Sequence, residues 1–125
     1  MGEPKKILIA DDSPTIVEIT KAMLKSEGHI IETASNGAEA LKKIAESHPD
    51  LLLLDVMMPD MDGYAVVQAL RRDAKPGDPG YTHVIIITSK DKMRDLFELE
   101  GVDGFLVKPF FRTELIDKIN EVFSQ

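Results

Sequence analysis

The stretch that decides the fold is Leu51-Leu52-Leu53-Leu54-Asp55-Val56-Met57-Met58-Pro59-Asp60-Met61-Asp62-Gly63. A short apolar run that ends in Pro, Asp and Gly turn formers predicts a strand buried on both faces, over 51–55. Asp55 then lies at the carboxyl end of a central strand, the edge of an open α/β sheet where ligands bind. Because burying an unpaired carboxylate is unfavourable, Asp55 needs either a partner or a function. From this stretch alone, a loop cap and a reactive group are equally good interpretations.

Length and composition limit the class of protein. The chain has 125 residues, which predicts one domain over residues 1–125 with a sizeable core. It contains no cysteine, which excludes disulfides, thiol nucleophiles and cysteine-based metal sites. Its net charge of -7 argues against a general nucleic-acid-binding surface. No apolar run approaches the roughly 20 residues that span a bilayer, and no signal peptide is recognisable. We therefore expect a cytoplasmic protein that binds neither membrane nor nucleic acid directly.

Strand and helix patterns alternate along the chain. Ser13 and Pro14 are typical of a helix start, Gly28 of a helix end near Glu27, and Pro49 of the end of a second helix. A third helix follows the turn at Gly63, a fourth spans about 91–100, and a fifth closes the chain. The predicted strands are 5–10, 29–34, 51–55, 84–87 and 105–107. Five strands alternating with five helices predict a three-layer α/β/α domain with a parallel sheet. Right-handed crossovers leave few topologies, one of which is the doubly wound order 2-1-3-4-5.

Polar residues follow four of the five predicted strands. They are Asp11, Asp12, Asp55, Thr88, Ser89 and Lys108. In a parallel sheet they meet at one edge, where three carboxylates would raise one another's pKa. A hard divalent cation such as Mg²⁺ relieves that repulsion and prefers oxygen ligands. The lysine adds a compact positive charge, and the threonine adds a hydroxyl for hydrogen bonding.

The motifs of the commonest enzyme classes are absent. The chain has no GxxxxGK[ST] phosphate loop, no GxGxxG and no GxSxG. Its histidines, His29, His48 and His83, fall at predicted strand or loop starts, away from the carboxylates, and are interpreted as solvated loop residues. What remains is a carboxylate nucleophile, a metal, a hydroxyl and a lysine. This set suits phosphoryl transfer to an aspartate, where positioning and charge neutralisation supply most of the catalysis.

Four separated motifs together resemble the receiver domain of two-component response regulators, of the chemotaxis type with a flavodoxin-like fold. The motifs are Asp11-Asp12, Asp55 with Met58-Pro59 and Asp62-Gly63, Thr88-Ser89, and Lys108-Pro109-Phe110. The resemblance implies that Asp55 accepts a phosphoryl group from a sensor histidine kinase or a phosphotransfer protein. It implies that the side chains of Asp12 and Asp55 and the backbone carbonyl of Met57 hold Mg²⁺, with Asp11 acting largely through a water, and that Mn²⁺ could substitute. It also implies that Lys108 contacts the phosphoryl group and precedes a cis bond to Pro109.

The same resemblance implies a conformational switch. Thr88 would move toward the phosphoryl group, and Phe105 would rotate into the vacated space, although Phe105 lacks the hydroxyl of the Tyr often found there. The face of the fourth helix, fifth strand and fifth helix would change shape for an output partner that the sequence does not identify. The chain would act as a monomer or as a phosphorylation-dependent homodimer. It would not be an enzyme with a separate substrate, since it would catalyse only its own phosphorylation and dephosphorylation.

Several alternatives remain open. One is a Mg²⁺-dependent phosphohydrolase with an aspartyl-phosphate intermediate, although no insert is large enough for a substrate-enclosing cap. Another is a receiver that binds partners without phosphorylation, which retention of the acidic residues and the lysine disfavours. Met57, Met58 and Met61 could suggest a soft-metal site, but packing is the better interpretation beside hard carboxylates. The chain could act alone or belong to a longer regulator. The segment between Thr88 and Lys108 is shorter than is usual in the family, and the loop from Lys75 to His83 is longer and has no predicted role.

Overall fold

The sheet has the doubly wound order that the sequence predicts. A computed structural model describes residues 3–56, 63–75, 77–89 and 101–124. The strands are β1 (Lys6–Ala10), β2 (Ile30–Ala34), β3 (Leu51–Asp55), β4 (His83–Ser89) and β5 (Gly104–Lys108). All neighbouring strands are parallel, in the order β2-β1-β3-β4-β5. The prediction of the strands and of their order is therefore confirmed.

The described residues contain four helices rather than the five that the sequence predicts. They are α1 (Pro14–Lys25), α2 (Gly37–Ser47), α3 (Gly63–Asp73) and α4 (Arg112–Phe123). The additional helix predicted at about 91–100 lies outside the described residues. Within these described ranges, no helix is both long and apolar enough to cross a bilayer.

The leucine run is buried on both faces. Leu51, Leu52, Leu53 and Leu54 are each fully shielded from solvent. Successive side chains of a strand point to opposite faces, and the run divides accordingly. Leu52 and Leu54 join the core cluster that also contains residues of α2 and α3. Leu51 and Leu53 join the cluster that contains residues of α1 and α4. A single strand therefore contributes side chains to both core clusters, and Asp55 lies at the end of that strand.

Helix starts follow the capping rules. The side chain of Ser13 accepts a hydrogen bond from the Ile16 amide at 3.4 Å, and Pro14 occupies the first turn. The helix ends at Lys25 rather than near Glu27, because a turn intervenes before Gly28, whose φ is +87°. Because α1 starts at Pro14, its N-cap Ser13 lies two positions after Asp11, at the edge where β1 and β3 end.

Candidate functional site

Three carboxylates meet at the carboxyl edge of the sheet. Asp11 follows β1, Asp12 follows Asp11, and Asp55 ends β3, which lies beside β1. Each offers a carboxylate oxygen, and these oxygens all lie within 4.8 Å of one another. Asp11 and Asp55 are only 3% and 2% exposed, whereas Asp12 is exposed. The prediction that these residues converge is correct, and two of the three charges are shielded from water.

A lysine from the edge strand bridges the two buried carboxylates. Lys108 ends β5, which β4 separates from β3. Its Nζ donates hydrogen bonds to Asp55 Oδ2 at 2.9 Å and to Asp11 Oδ2 at 3.3 Å. The long stem of lysine allows the ammonium group to reach across the end of β4. One cation therefore faces two buried anions, and a third anion lies nearby.

The electrostatics of the site reflect this imbalance. Burial, joined by the charge of Asp55, raises the pKa of Asp11 above its usual value, although the Ser13 amide and Lys108 oppose the rise. The Ser13 amide donates to Asp11 Oδ1 at 2.9 Å. Burial alone would lower the pKa of Lys108, but hydrogen bonding and attraction to Asp55 and Asp11 outweigh it and raise that pKa. The lysine is therefore held in its charged form, and among the described residues the carboxylates of this cluster outnumber the lysine.

The donor set fits a hard divalent cation. Carboxylate oxygens are the ligands that Mg²⁺ prefers, and crowding them without a matching charge is unfavourable. A cavity of about 300 Å³ opens beside Asp11 and Asp12, between α1 and the start of α2. The geometry thus combines a buried pair of oxygen donors with a solvent-accessible approach. Met57, whose carbonyl is the other expected ligand, lies outside the described residues.

The predicted switch residues are placed as follows. Thr88 is fully buried in β4, beside Val107 of β5, and its hydroxyl donates to the Ser89 carbonyl at 3.3 Å. Phe105 is half-buried in β5 and packs against the cluster that includes α3. The peptide bond between Lys108 and Pro109 is cis. The described hydrogen bond of Thr88 does not join it to the carboxylates, so its part in the site stays a prediction.

The interpretation of the histidines is only partly right. None of the three belongs to the carboxylate cluster. His48 is exposed after α2, as expected, but His29 accepts a hydrogen bond from the Lys5 amide at 3.0 Å and is half-buried. His83 is a half-buried residue of β4 whose ring makes edge-on contacts with Tyr81 and Phe123. The contact with Phe123 for His83, and the hydrogen bond from Lys5 for His29, therefore override the expectation of solvated loop residues.

Sequence reasoning missed a second polar cluster, at the opposite edge of the sheet. The side chains of Arg71, Tyr81 and Asp103, here called the amino-edge clasp, join α3, the loop before β4 and the turn before β5. An arginine in the last turn of a helix usually indicates a solvated residue that complements the helix dipole. No local motif distinguishes this arginine from its neighbour Arg72, which is exposed.

Comparisons with known proteins agree with the fold. A family model described as the response regulator receiver domain matches residues 7–120. The chain is 38% identical over 123 residues to the alkaline phosphatase synthesis transcriptional regulatory protein PhoP of Bacillus subtilis, covering 97% of this chain and 49% of that protein. It is 36% identical over 116 residues to Protein PilG of Pseudomonas aeruginosa, covering 91% of this chain and 84% of PilG.

A solved structure gives the same likeness. The response regulator protein TrrA of Thermotoga maritima, crystallised in complex with Mg²⁺ and BeF, is 36% identical to this chain. It superposes with a TM-score of 0.82 over 94% of this chain and 98% of TrrA. The chain spans about half the length of the curated relatives that are transcriptional regulators.

Proposed function

Because the chain belongs to the response regulator receiver domain family, we propose that Asp55 accepts a phosphoryl group from a phosphohistidine. The donor is a sensor histidine kinase or a phosphotransfer protein. A carboxylate oxygen of Asp55 forms the new bond to phosphorus as the P–N bond breaks. The bonding electrons return to the imidazole of the donor, which takes up a proton. The observation that carries the proposal is the convergence of Lys108 on the buried carboxylates of Asp55 and Asp11.

Lys108 supplies the positive charge at the point where negative charge develops. Its Nζ already lies 2.9 Å from Asp55 Oδ2, within reach of an oxygen of a group attached there. Because three quarters of its side chain is shielded, its charge is less screened than that of a surface lysine. A preorganised cation of this kind stabilises a transferring phosphoryl group without having to move at the moment of reaction.

Asp11, Asp12 and Asp55, with the Met57 carbonyl, would hold the divalent ion, Mg²⁺ or in its place Mn²⁺. When bound, the ion supplies the charge that balances the carboxylates and the incoming phosphoryl oxygens. Support comes from the crowding of the three carboxylates and from the raised pKa of Asp11, which burial and the charge of Asp55 cause. The structure of TrrA in complex with Mg²⁺ and BeF provides a precedent in a relative.

Residues 1–125 then serve as one receiver domain that signals through its surface, and its chemistry is confined to its own phosphorylation and dephosphorylation. Thr88 and Phe105 respond to the new charge at Asp55, and the face of β5 and α4 changes for an output partner or a second copy of the chain. The full burial of Thr88 and the half-burial of Phe105 support this assignment. A buried hydroxyl and a packed ring can adopt few alternative positions. A switch between two states requires such a small number of discrete arrangements.

The experiment is phosphorylation by a small donor. Incubation with Mg²⁺ and acetyl phosphate should add the mass of one phosphoryl group, which Asp55→Asn and EDTA should each abolish. Asp117→Asn, an exposed aspartate on α4, is the matched control and should label like the wild type. Labelling that survives in Asp55→Asn contradicts the assignment. Multiple turnover of varied phosphate esters would indicate the phosphohydrolase instead.

A further inference from the structure

The amino-edge clasp is a densely hydrogen-bonded polar cluster. Arg71 donates from Nε to the Gly101 carbonyl at 2.6 Å, from Nη1 to the Thr82 carbonyl at 2.9 Å and from Nη2 to Asp103 Oδ2 at 3.3 Å. Its guanidinium lies 4.2 Å from the ring centroid of Tyr81, in a cation–π contact. All three nitrogens of the planar fork therefore have an acceptor.

Asp103 is equally well matched. Its carboxylate accepts hydrogen bonds from the Val84 amide at 2.8 Å and from the Tyr81 hydroxyl at 3.2 Å, in addition to Arg71. His83 Nδ1 lies 3.2 Å from its Oδ1. The Asp103 amide in turn donates to the Val84 carbonyl at 2.8 Å. The side chain and the backbone amide of Asp103 thus both form hydrogen bonds with the backbone of Val84 in β4.

The backbone conformation of Gly101 and its contact with Arg71 both favour glycine at this position. Its φ is +84°, in the left-handed region that other residues disfavour. A Cβ at this position would stand 2.9 Å from Arg71 Cγ. The arginine stem therefore lies directly on the Gly101 backbone. Arg71 and Asp103 are also well shielded, with 16% and 18% of their side chains exposed.

The clasp sets the alignment of β5 on β4. The bonds between Asp103 and Val84 lie immediately before the first paired residues of these strands, Ile85 and Gly104. From there the pairing runs without interruption to Ser89 and Lys108 at the carboxyl edge. Because β5 is an edge strand, it pairs on one side with β4, and among the described residues the bonds between Asp103 and Val84 start that pairing. A change of register would shift Lys108 along the sheet or turn it to the other face.

We propose that Arg71 and Asp103 are positioning residues for Lys108, acting through the register of β5. The proposal rests on the role of Lys108 in phosphoryl acceptance at Asp55. It also gives the long loop before β4 a role, since this loop delivers Tyr81 to the clasp. The turn from Lys75 to Tyr81 is itself well bonded, with the Lys75 amide donating to Asp78 Oδ2 at 2.9 Å and the Tyr81 amide to the Asp78 carbonyl at 3.2 Å.

The test compares Arg71→Met with Arg72→Met, the same change at the exposed neighbouring position of α3. The first readout is the NMR resonance of Lys108 Nζ in the absence of metal, which reports its ion pairs. The second is the rate of phosphoryl uptake at saturating acetyl phosphate. Arg71→Met should shift the resonance and slow uptake by about tenfold or more, with the half-saturating donor concentration unchanged. Arg72→Met should leave all of these at the wild-type values.

A milder variant covers the case in which Arg71→Met does not fold. Tyr81→Phe removes one hydrogen bond to Asp103 and keeps the ring beneath the guanidinium, so it should change both readouts in the same direction by a smaller factor. Wild-type values in a folded Arg71→Met protein, or in Tyr81→Phe when Arg71→Met is unfolded, would overturn the proposal. If the wild type accepts no phosphoryl group, the proposed function fails, and the Lys108 resonance still decides on the clasp.

Discussion

Each edge of the sheet places a cationic side chain against shielded carboxylate oxygens. The two edges differ in the ratio of carboxylates to cations. At the amino edge, one arginine faces one aspartate, and both are completed by backbone groups and a tyrosine. At the carboxyl edge, one lysine faces two buried aspartates, with a third close by. The first cluster is satisfied as it stands. The second has more carboxylates than cations among the residues that the structure describes.

This difference separates a structural polar cluster from a reactive one. A planar arginine fork with all its acceptors in place has little to gain from a ligand. A lysine shared between two carboxylates can transfer its hydrogen bonds to a new group, and clustered carboxylate oxygens are ligands that a hard cation prefers. Charge imbalance, rather than the mere presence of buried ions, therefore marks the candidate site. The following substitutions test this contrast.

The largest effect on stability is expected from Asp103→Ala. It leaves Arg71 without its anion and the Val84 amide without its acceptor, so the free energy of unfolding should fall by about 3 kcal/mol. Urea denaturation at an unchanged m-value measures the loss. Asp117→Ala, at an exposed position, should change stability by less than about 0.5 kcal/mol. A similar small loss in Asp103→Ala would show that the clasp is not the balanced cluster described above.

Removal of the lysine should affect chemistry more than stability. Lys108→Met should slow phosphoryl uptake from acetyl phosphate by about 100-fold, the effect of losing one preorganised donor to a developing charge. That factor corresponds to about 2.7 kcal/mol of barrier. Lys25→Met, at the exposed end of α1, is the control and should react at the wild-type rate. A loss smaller than about threefold in Lys108→Met would remove the lysine from the reaction.

Removal of a carboxylate from the unbalanced edge should stabilise the protein. Burial and the charge of Asp55 raise the pKa of Asp11, so its ionised form disfavours the fold at neutral pH. Asp11→Asn retains an acceptor for the Ser13 amide and should raise the free energy of unfolding by roughly 1 kcal/mol in EDTA. Saturating Mg²⁺ should stabilise the wild type and reverse the order. A variant that is less stable than the wild type in EDTA contradicts the idea of unmatched charge.

The smallest effect is expected at Glu39, a partly exposed carboxylate that serves as a reference for both edges. Hydrogen bonds from the amide and hydroxyl of Ser35, with Lys43, hold the pKa of Glu39 below its usual value of 4.5. Its contribution is therefore present above pH 4.5 and disappears as the pH falls through the lowered pKa. Glu39→Gln should cost a few tenths of a kcal/mol at neutral pH because solvent screens the group. Thermal unfolding of both proteins should converge at low pH, whereas a difference that persists there implies a packing effect.

The carboxyl edge could be predicted from sequence because each of its residues directly follows an apolar run. A parallel sheet brings such positions together, so Asp11, Asp55 and Lys108 could be associated without knowledge of any long-range contact. The clasp gives no comparable signal. Arg71 and Asp103 are 32 positions apart, and Tyr81 and Asp103 are 22 apart, in segments that read as a helix end, a loop and a turn. Their meeting depends on how α3 packs and on where the loop before β4 leads, which local patterns do not determine.

Element ends were also harder to predict than element types. Gly28 does have a positive φ, but it closes a turn that follows α1 rather than the helix itself. His83 belongs to β4 because pairing with Leu51 of β3 extends that strand by one residue beyond its apolar run. A local turn decides the first boundary and a tertiary contact decides the second.

The bridge from Lys108 to Asp11 spans 97 positions of the chain, and that to Asp55 spans 53. A ribosome therefore releases both acidic residues well before it has made their lysine. Until β5 emerges, a nascent chain lacks the Lys108 ammonium group that bridges Asp11 and Asp55 in the folded domain. On the proposed function, a chain that ends before β5 therefore lacks the cation that would stabilise the transferring phosphoryl group.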